Sequence, residues 1–238
     1  MSAVRQTLEI LRMLSTIEVP VSAARICQEL SMPRSTTYRL LGEMVDMGFV
    51  VHLVDEKKYG LGLAAYEMAS AYTTQQPLVR LSRSPLLKAA SMVGGSGHLS
   101  RLSGQEIVYL AEVRAPGAPS LTTQVGVRLV AVGTASGRIM LAHLPKEERV
   151  AALSPAPETA ELLDEAQAVG YATEYEEVAC GQESVAVAIS DHLGRPAAAL
   201  AVTYPVGTAS SDTFTALVAH LKDSAASMSA KLYGRQTR

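Results

Sequence analysis

Two short segments with helical periodicity follow one another within the first fifty residues, and a turn of about three residues separates them. The first begins after Ser22, a residue type that caps helix N-termini, and the second begins near Pro33, which suits the first turn of a helix. The residues that fall on one helical face are Ala23, Ile26, Cys27 and Leu30 in the first segment and Thr37, Leu40, Leu41 and Met44 in the second. Two short helices joined in this way are typical of a helix-turn-helix, with both inner faces in a core.

The elements on either side complete a winged helix pattern. Residues 3–15 have the periodicity of an amphipathic helix. Residues 49–54 and 59–63 read as two strands around a charged turn at residues 55–58. Residues 1–63 are therefore predicted to form a winged helix-turn-helix domain, with the hairpin as its wing.

The outer face of the second helix carries the side chains that a groove-entering helix needs. No acidic residue lies between Leu30 and Gly42. Arginine binds guanine or phosphate with two hydrogen bonds, and serine and threonine hydroxyls suit phosphates or base edges. The chain has no Asn, so the usual contact from asparagine to adenine is not available to it. The candidate DNA-facing residues are Arg34, Ser35, Tyr38 and Arg39, with Thr36 at the margin.

Charge alone does not decide between DNA binding and protein binding for this domain. Residues 1–63 contain seven Lys and Arg and seven Asp and Glu, and the whole chain has a net charge of −2. A helix-turn-helix frame of this kind also serves as a protein-interaction module. Both readings stay open at this level.

A family resemblance makes the interpretation more specific. Residues 30–41, which read LSMPRSTTYRLL, are followed by Gly-Phe-Val at 48–50 and Tyr-Gly-Leu-Gly at 59–62. These strings resemble the winged helix-turn-helix of the IclR family of bacterial transcriptional regulators. The resemblance implies that the protein binds double-stranded operator DNA. The residues that it places at the DNA are Arg34, Ser35, Thr36, Tyr38 and Arg39, with Lys57 and Lys58 of the wing near the backbone.

The remainder of the chain alternates helix-like and strand-like segments. Residues 64–78 are predicted as a linker helix, and the glycine-rich residues 94–97 are predicted as a turn. Two hairpins, at 98–113 and 184–204, flank three helix-like segments, and a long amphipathic helix ends the chain. Residues 79–238 are therefore expected to form an α+β domain around a largely antiparallel sheet.

The same resemblance extends over this second domain. It rests on Gly-Thr-Ala-Ser-Gly-Arg at 133–138, Ser-Val-Ala-Val at 184–187 and Gly-Arg-Pro at 194–196. It implies a GAF-like α/β fold that binds a small-molecule effector and carries the oligomer contacts. The pocket residues that it implies are Leu121, Leu129, Ala135, Ser136, Glu174, Ser184 and Thr203.

Two departures from the family pattern bear on the effector. Many members have Arg-Cys where this chain has Glu183 and Ser184, and often Ser-x-Ser where it has residues 201–203, Ala-Val-Thr. The loss of an arginine removes a group suited to a carboxylate. The expected effector is therefore neutral or weakly charged, with aromatic compounds among the candidates.

These features predict an effector-controlled transcriptional regulator, expected to be a repressor of a catabolic operon. One winged helix makes few phosphate contacts, so a homodimer or homotetramer is expected. The alternatives are a redox sensor that uses Cys180 and a non-catalytic interaction scaffold.

Other activities and locations find no support in the sequence. No GxSxG or HExxH motif is present, and the two cysteines, Cys27 and Cys180, form no CxxC or zinc pattern. No enzyme, metal site or cofactor is expected. The histidines His98, His143, His192 and His220 are predicted at the surface or the edge of the core. No apolar run reaches 18 residues and no signal peptide is visible, so we expect a cytoplasmic protein without membrane contact.

Overall fold

The computed structural model describes residues 2–118, 125–152 and 159–234. It divides into two compact units, Met1–Gln75 and Gln76–Arg238. The first unit contains four helices and three short strands among its described residues: α1 Ala3–Ser15, β1 Val21–Ser22, α2 Ala23–Glu29, α3 Arg34–Asp46, β2 Val50–Leu53, β3 Lys58–Leu61 and α4 Leu63–Gln75. The predicted winged helix-turn-helix is confirmed.

A small core holds the first unit together. Ile10 of α1, Ile26 of α2, Leu41 of α3 and Val50 of β2 are all buried in it. The hydroxyl of Ser22 accepts a hydrogen bond from the backbone N of Arg25, which confirms it as the cap of α2. Cys27 was expected in this core and is only half-buried, because Ala23 and Ile26 occupy the inward positions of α2.

The three strands of the first unit form an antiparallel sheet in the order β1-β3-β2. Strand β1 is two residues long, pairs Val21 with Tyr59 and was not predicted from the sequence. The wing hairpin pairs His52 with Tyr59, and these two rings stack with centroids 4.4 Å apart. This stack fixes the hairpin at its middle.

Helix α4 ends at Gln75, Gln76 is extended, and the next helix begins at Pro77. Proline at the first helical position starts a helix, since its missing N–H is not needed there. The range 64–78 thus contains most of α4 and the first two residues of the following helix.

The second unit is an α+β domain with a six-stranded antiparallel sheet, in the order β6-β5-β4-β9-β8-β7. The elements are α5 Pro77–Val93, β4 Ser96–Ser103, β5 Glu106–Arg114, β6 Arg128–Val130, a 3-10 turn Ala131–Gly133, α6 Ala135–Ala142, α7 Lys146–Ala152, α8 Ala160–Val169, β7 Ala172–Tyr175, β8 Gln182–Ser190, β9 Pro196–Pro205 and α9 Ser211–Tyr233. The predicted fold class is confirmed. The short edge strands β6 and β7 were not predicted.

Both faces of this sheet are covered. Helices α5 and α9 pack on one face, where Leu86 and Leu221 meet Leu99 and Val187. Helices α6 and α8 pack on the other, where Ile139 and Leu163 belong to the same cluster as Ala186, Ala199 and Ala201. Alternate residues of the central strands therefore enter different cores, and small side chains on the α6 side let that helix lie close to the strands.

The glycine-rich residues 94–97 are not a simple turn. Gly94 ends α5 in the left-handed region, with φ 64°, but β4 already begins at Ser96. A Cβ added to Gly97 would lie 2.8 Å from the carbonyl oxygen of Leu86. Gly97 therefore allows α5 to lie directly against β4, which no pattern in the sequence revealed.

Candidate functional site

The turn between α2 and α3 positions the second helix of the motif. Ser31 has φ 51° and Met32 is buried, so the chain reverses tightly around Met32. Helix α3 then begins after Pro33, which offers no side-chain cap. Among the described residues, no acceptor is found for the backbone N–H groups of Arg34, Ser35 and Thr36. Free N–H groups at a helix N-terminus are suited to phosphate.

One face of α3 is buried and the opposite face is exposed. Thr37, Leu40, Leu41 and Met44 face the core. Of the candidate DNA-facing residues, Arg34, Ser35, Tyr38 and Arg39 are exposed and Thr36 is half-buried. Within the part of the chain that the structure describes, neither arginine has an ion-pair partner. This face, made of Arg34, Ser35, Thr36, Tyr38 and Arg39, is called the recognition face below.

The two lysines of the wing differ in their surroundings. Lys57 is exposed at the tip of the hairpin, with φ 53°. The Nζ of Lys58 lies 2.9 Å from Oε2 of Glu56 and the residue is half-buried. Lys57 has no ion-pair partner in the described ranges and so offers an unpaired charge, whereas the charge of Lys58 is partly balanced.

In the second unit, three polar residues lie side by side on neighbouring strands. Glu174 of β7 is the register partner of Ser184 on β8, which is in turn the partner of Thr203 on β9. The hydroxyl of Ser184 donates to Oε1 of Glu174 at 3.1 Å and lies 2.8 Å from Oγ1 of Thr203. Oε2 of Glu174 accepts from the backbone N atoms of Glu177 and Val178 at 3.1 and 3.2 Å. The carboxylate is thus held at both oxygens.

Burial dominates the electrostatics of this row. Glu174 is 2% exposed, and the loss of water raises the pKa of its carboxyl, although the hydrogen bonds from Val178, Ser184 and Glu177 act against the rise. Burial and the nearby Glu174 raise the pKa of Tyr109 to about 12, so its hydroxyl keeps its proton.

The N-terminus of α6 closes the other side of the row. The hydroxyl of Thr134 caps this helix by accepting from the backbone N of Gly137 at 2.9 Å. A Cβ at Gly137 would overlap the carbonyl oxygen of Ala131, so only glycine permits this tight entry into the helix. Ala135 and Ser136 follow the cap and line the same pocket as Glu174, Ser184 and Thr203.

Together these elements enclose a pocket. Its free volume is about 20 Å³, room for about one water molecule. The pocket is lined by Tyr109, Thr134, Ala135, Ser136, Glu174, Val178, Ala179, Gln182, Ser184, Ala201 and Thr203. No lysine, arginine or histidine is among these lining residues.

The structure brings together five of the seven pocket residues expected from the family resemblance: Ala135, Ser136, Glu174, Ser184 and Thr203. Leu129 does not line this pocket. It lies on the edge strand β6 opposite Ile107 and packs into the apolar cluster beside α6, because strand pairing turns it towards that cluster. Leu121 lies outside the described residues.

Sequence reasoning missed several lining residues. Ala201 precedes Thr203 by two positions on β9, so strand alternation identifies it once Thr203 is known. Tyr109, Val178 and Gln182 come from other elements and depend on the fold. Nothing in their immediate sequence indicates a pocket.

The expectation that His98 lies at the surface or the edge of the core is wrong. His98 is 1% exposed, because β4 is a central strand whose two faces are both covered. Burial lowers the pKa of His98 to about 4, although the nearby Glu112 acts in the opposite direction. The imidazole is therefore neutral near pH 7.

Cys180 has no features of an activated thiol. It is exposed, and its Sγ lies 3.7 Å from Oε1 of Glu176. A carboxylate does not stabilise a thiolate, whereas reactive cysteines have cationic neighbours. The other cysteine, Cys27, belongs to the first unit.

A winged helix-turn-helix with an exposed, acid-free recognition face, joined in one chain to an α+β unit with a polar pocket, defines a DNA-binding transcriptional regulator. Comparison with known families supports this class. Residues 3–53 match the IclR helix-turn-helix domain, and residues 70–230 match the bacterial transcriptional regulator IclR C-terminal domain. The chain belongs to the IclR family. Its members are transcriptional regulators and not enzymes.

The relatives agree with this assignment over most of the chain. The chain is 25% identical to the HTH-type transcriptional repressor AllR of Klebsiella pneumoniae, over 89% of this chain and 82% of that protein. It is 26% identical to the HTH-type transcriptional regulator KdgR of Dickeya chrysanthemi, over 89% and 74%. An IclR homologue of Microbacterium hydrocarbonoxydans, crystallised with 4-hydroxybenzoate, has the same fold, with a TM-score of 0.80, 24% identity and coverage of 97% and 99%. No helix in the described part of this chain could span a membrane.

Proposed function

We propose that this chain is an effector-controlled repressor that binds an operator of a catabolic operon through its recognition face. The observation that carries the proposal is that Arg34 and Arg39 stand exposed and unpaired on a face without acidic residues. The relative from Klebsiella pneumoniae is itself a repressor. Because bacterial operators lie in the cytoplasm, the proposal places the protein there.

Each part of the DNA-binding surface has a distinct role in this proposal. Arg34 and Arg39 contact base edges or phosphates, while Ser35, Thr36 and Tyr38 offer hydroxyls. The free N–H groups at the start of α3 bind a phosphate. Lys57 at the wing tip contacts the backbone more strongly than Lys58, since Glu56 competes for Lys58.

The protein acts as a homodimer or homotetramer in this proposal. One winged helix-turn-helix supplies few contacts, and specific affinity is reached when two of them bind half-sites about 34–36 Å apart or a multiple of that spacing. Two copies of the recognition face then read a palindromic operator.

The pocket of the second unit binds the effector. Its free volume of about 20 Å³ is too small for an organic metabolite, so the pocket must widen when the effector enters. A ligand that selects the wider state shifts the equilibrium between two conformations, which is the requirement for control of DNA affinity.

The lining favours an effector that is neutral or weakly charged. A carboxylate ligand would face Glu174, and none of the lining residues is a cation. Tyr109, Val178 and several alanines supply apolar surface, and the IclR homologue of Microbacterium hydrocarbonoxydans is a case in which an aromatic compound binds. Aromatic compounds are therefore among the candidates, alongside other compact molecules.

Binding to the DNA upstream of the chain's own gene tests the proposal. Fluorescence anisotropy is measured at low and moderate salt with competitor DNA, and saturable, competitor-resistant binding is expected. Candidate metabolites are then added, and an effector lowers the affinity. No binding to the DNA at any salt concentration would point to an interaction scaffold instead. A response to oxidant that Cys180→Ser removes would point to a redox sensor.

A further inference from the structure

Three polar residues of β4 face the α6 side of the sheet. They are Ser96, His98 and Ser100, which alternate with Gly97 and Leu99. Leu99 belongs to the core beneath α5 and α9, and a Cβ on Gly97 would lie 2.9 Å from Cβ of Leu86 on α5. Since successive residues of a strand point to opposite faces, the three polar side chains point towards the pocket side.

Strand pairing places these residues directly beside the pocket. Ser96 is the register partner of Thr203, and His98 is the partner of Ala201. Thr203 and Ala201 both line the pocket, and so does Tyr109, whose ring centroid lies 5.1 Å from that of His98. The polar wall of the pocket therefore continues by one strand, from β9 to β4.

The polar atoms of this added wall are unpaired. The hydroxyl oxygens of Ser96 and Ser100 and both ring nitrogens of His98 are buried, and none has a hydrogen-bond partner among the residues that the structure describes. Buried polar groups are rarely left in this state, because the lost hydrogen bonds to water are not replaced. Four such atoms lie on one strand beside a pocket. A ligand bound there could supply the hydrogen-bond partners that they lack.

We propose that His98 is a specificity-determining residue of this pocket, which exchanges a hydrogen bond with an uncharged hydroxyl, carbonyl or amide group at the inner end of the effector. The inference rests on the effector pocket of the proposed function. It adds to that proposal the position and the chemical class of one group of the effector.

The charges around His98 explain why the effector group that it recognises should be uncharged. Glu112 lies opposite His98 on β5, and its carboxylate is engaged by Arg114, with N–O distances of 2.8 and 3.3 Å. Among the described residues that line the pocket or pair with His98, none offers a free cation to an anionic ligand, and Glu174 lies at the other end of the pocket. A neutral imidazole donates at one nitrogen and accepts at the other. This combination matches a hydroxyl or amide, whereas a carboxylate can only accept.

The distance along the sheet sets the size of the ligand. From Ser184 on β8 to β4 there are two strand spacings, and His98 lies two residues further along β4 than Ser96, which is in line with Ser184. The two residues are therefore about 12 Å apart. A single ring covers this distance when its one substituent is hydrogen-bonded to His98 and its opposite edge packs against the Ser184 side of the pocket. Four ring compounds that differ in one substituent are therefore suitable probes: phenol, benzamide, toluene and benzoate.

The test compares the wild-type chain with His98→Phe and His192→Phe by isothermal titration calorimetry. His98→Phe keeps a flat ring beside Tyr109 and removes both nitrogens, and His192→Phe is the control because His192 is exposed. Phenol or benzamide is expected to bind the wild type at least about tenfold more tightly than toluene, with benzoate weakest. His98→Phe is expected to lose this discrimination and keep toluene binding, and the control is expected to keep both.

A measurement on the unmutated protein guards against a folding defect in the variant. In ¹⁵N-histidine spectra of the wild type, the ring nitrogen signals of His98 are expected to shift with phenol and not with toluene.

Three results would overturn the proposal. The first is a folded His98→Phe protein that still discriminates, which would mean that water occupies the polar wall. The second is tightest binding of benzoate. The third is that none of the four compounds binds at millimolar concentration. Failure of the proposed function would look different, since the probes would bind through His98 without any change in DNA affinity.

Discussion

The hydroxyl of Ser184 donates a hydrogen bond to the carboxylate of Glu174 across neighbouring strands, at 3.1 Å. These residues are ten positions apart in sequence and meet because β7 and β8 pair with Glu174 opposite Ser184. The contact holds the polar end of the pocket in place. In this structure, the pocket has room for about one water molecule. An effector that binds in this pocket, as proposed, would have to disturb this hydrogen bond or its surroundings, which would connect ligand entry to the position of β7.

Bulk at Ser184 should separate effector binding from DNA binding. Ser184→Leu fills a free volume of about 20 Å³, so the effector response should be abolished while operator affinity changes little. Anisotropy titrations with and without the effector measure both. Thr173→Leu, on the exposed side of β7, is the matched control and should respond normally. A full response in Ser184→Leu would show that the effector binds elsewhere.

Arg39→Ala should weaken operator binding by about 1–3 kcal/mol if Arg39 contacts a base, with relaxed specificity at one position. If Arg39 contacts phosphate, the loss should be similar for all sequences and the salt dependence should become less steep. Arg83→Ala, an exposed arginine on α5 of the second unit, should bind as the wild type does. Unchanged affinity in Arg39→Ala at every salt concentration would contradict both forms of the prediction.

The two wing lysines should differ in their effect on salt dependence. Removing a lysine that contacts phosphate lowers the slope of log affinity against log salt by about 1. Lys57→Asn should show this loss, and asparagine tolerates the positive φ of 53° at this position. Lys58→Gln should show a smaller loss, since Glu56 already pairs with Lys58. A larger loss of slope in Lys58→Gln than in Lys57→Asn would mean that DNA displaces Glu56 from Lys58.

Gly137→Ala should destabilise the second unit by at least about 2 kcal/mol, because the new Cβ would overlap the Ala131 carbonyl oxygen at the start of α6. Gly42 is the matched control, as a helical glycine with nothing within 4 Å of an added Cβ. Gly42→Ala should stabilise the first unit by about 0.5–1 kcal/mol. Thermal unfolding followed by circular dichroism measures both. An unaffected Gly137→Ala protein would show that α6 can shift away from Ala131.

His98 should make the protein sensitive to acid. Its pKa is lowered from 6.5 to about 4 in the folded chain, so the unfolded chain binds the proton more tightly. The stability that His98 contributes is present above about pH 6.5 and is lost as the pH falls towards 4, by up to about 3 kcal/mol. Urea unfolding at several pH values should show this loss in the wild type. The same series with His98→Phe should be less steep, and parallel curves would rule out His98 as the source.

The first unit could be predicted almost entirely from the sequence because its information is local. A capping serine, a short turn and two helical stripes lie within some 25 residues, and each acts on its own neighbours. The recognition face follows from the same periodicity, since the burial of Leu40, Leu41 and Met44 leaves Arg34 and Arg39 outside. Of the helices and strands described in this unit, only β1 was missed, because two residues carry no periodic pattern and depend on their pairing with β3.

The second unit shows what only the tertiary structure decides. The sequence determined the class of the domain, its hairpins and, through family resemblance, five of the residues that line the pocket. The pairing of six strands decided that Tyr109, Gln182 and Ala201 join them, and that Leu129 does not. It also buried His98, whose polar character favours the surface, because helices cover both faces of a central strand. The sequence determines the chemistry of each side chain. Whether that side chain is buried, and which residues surround it, depends on contacts between distant parts of the chain.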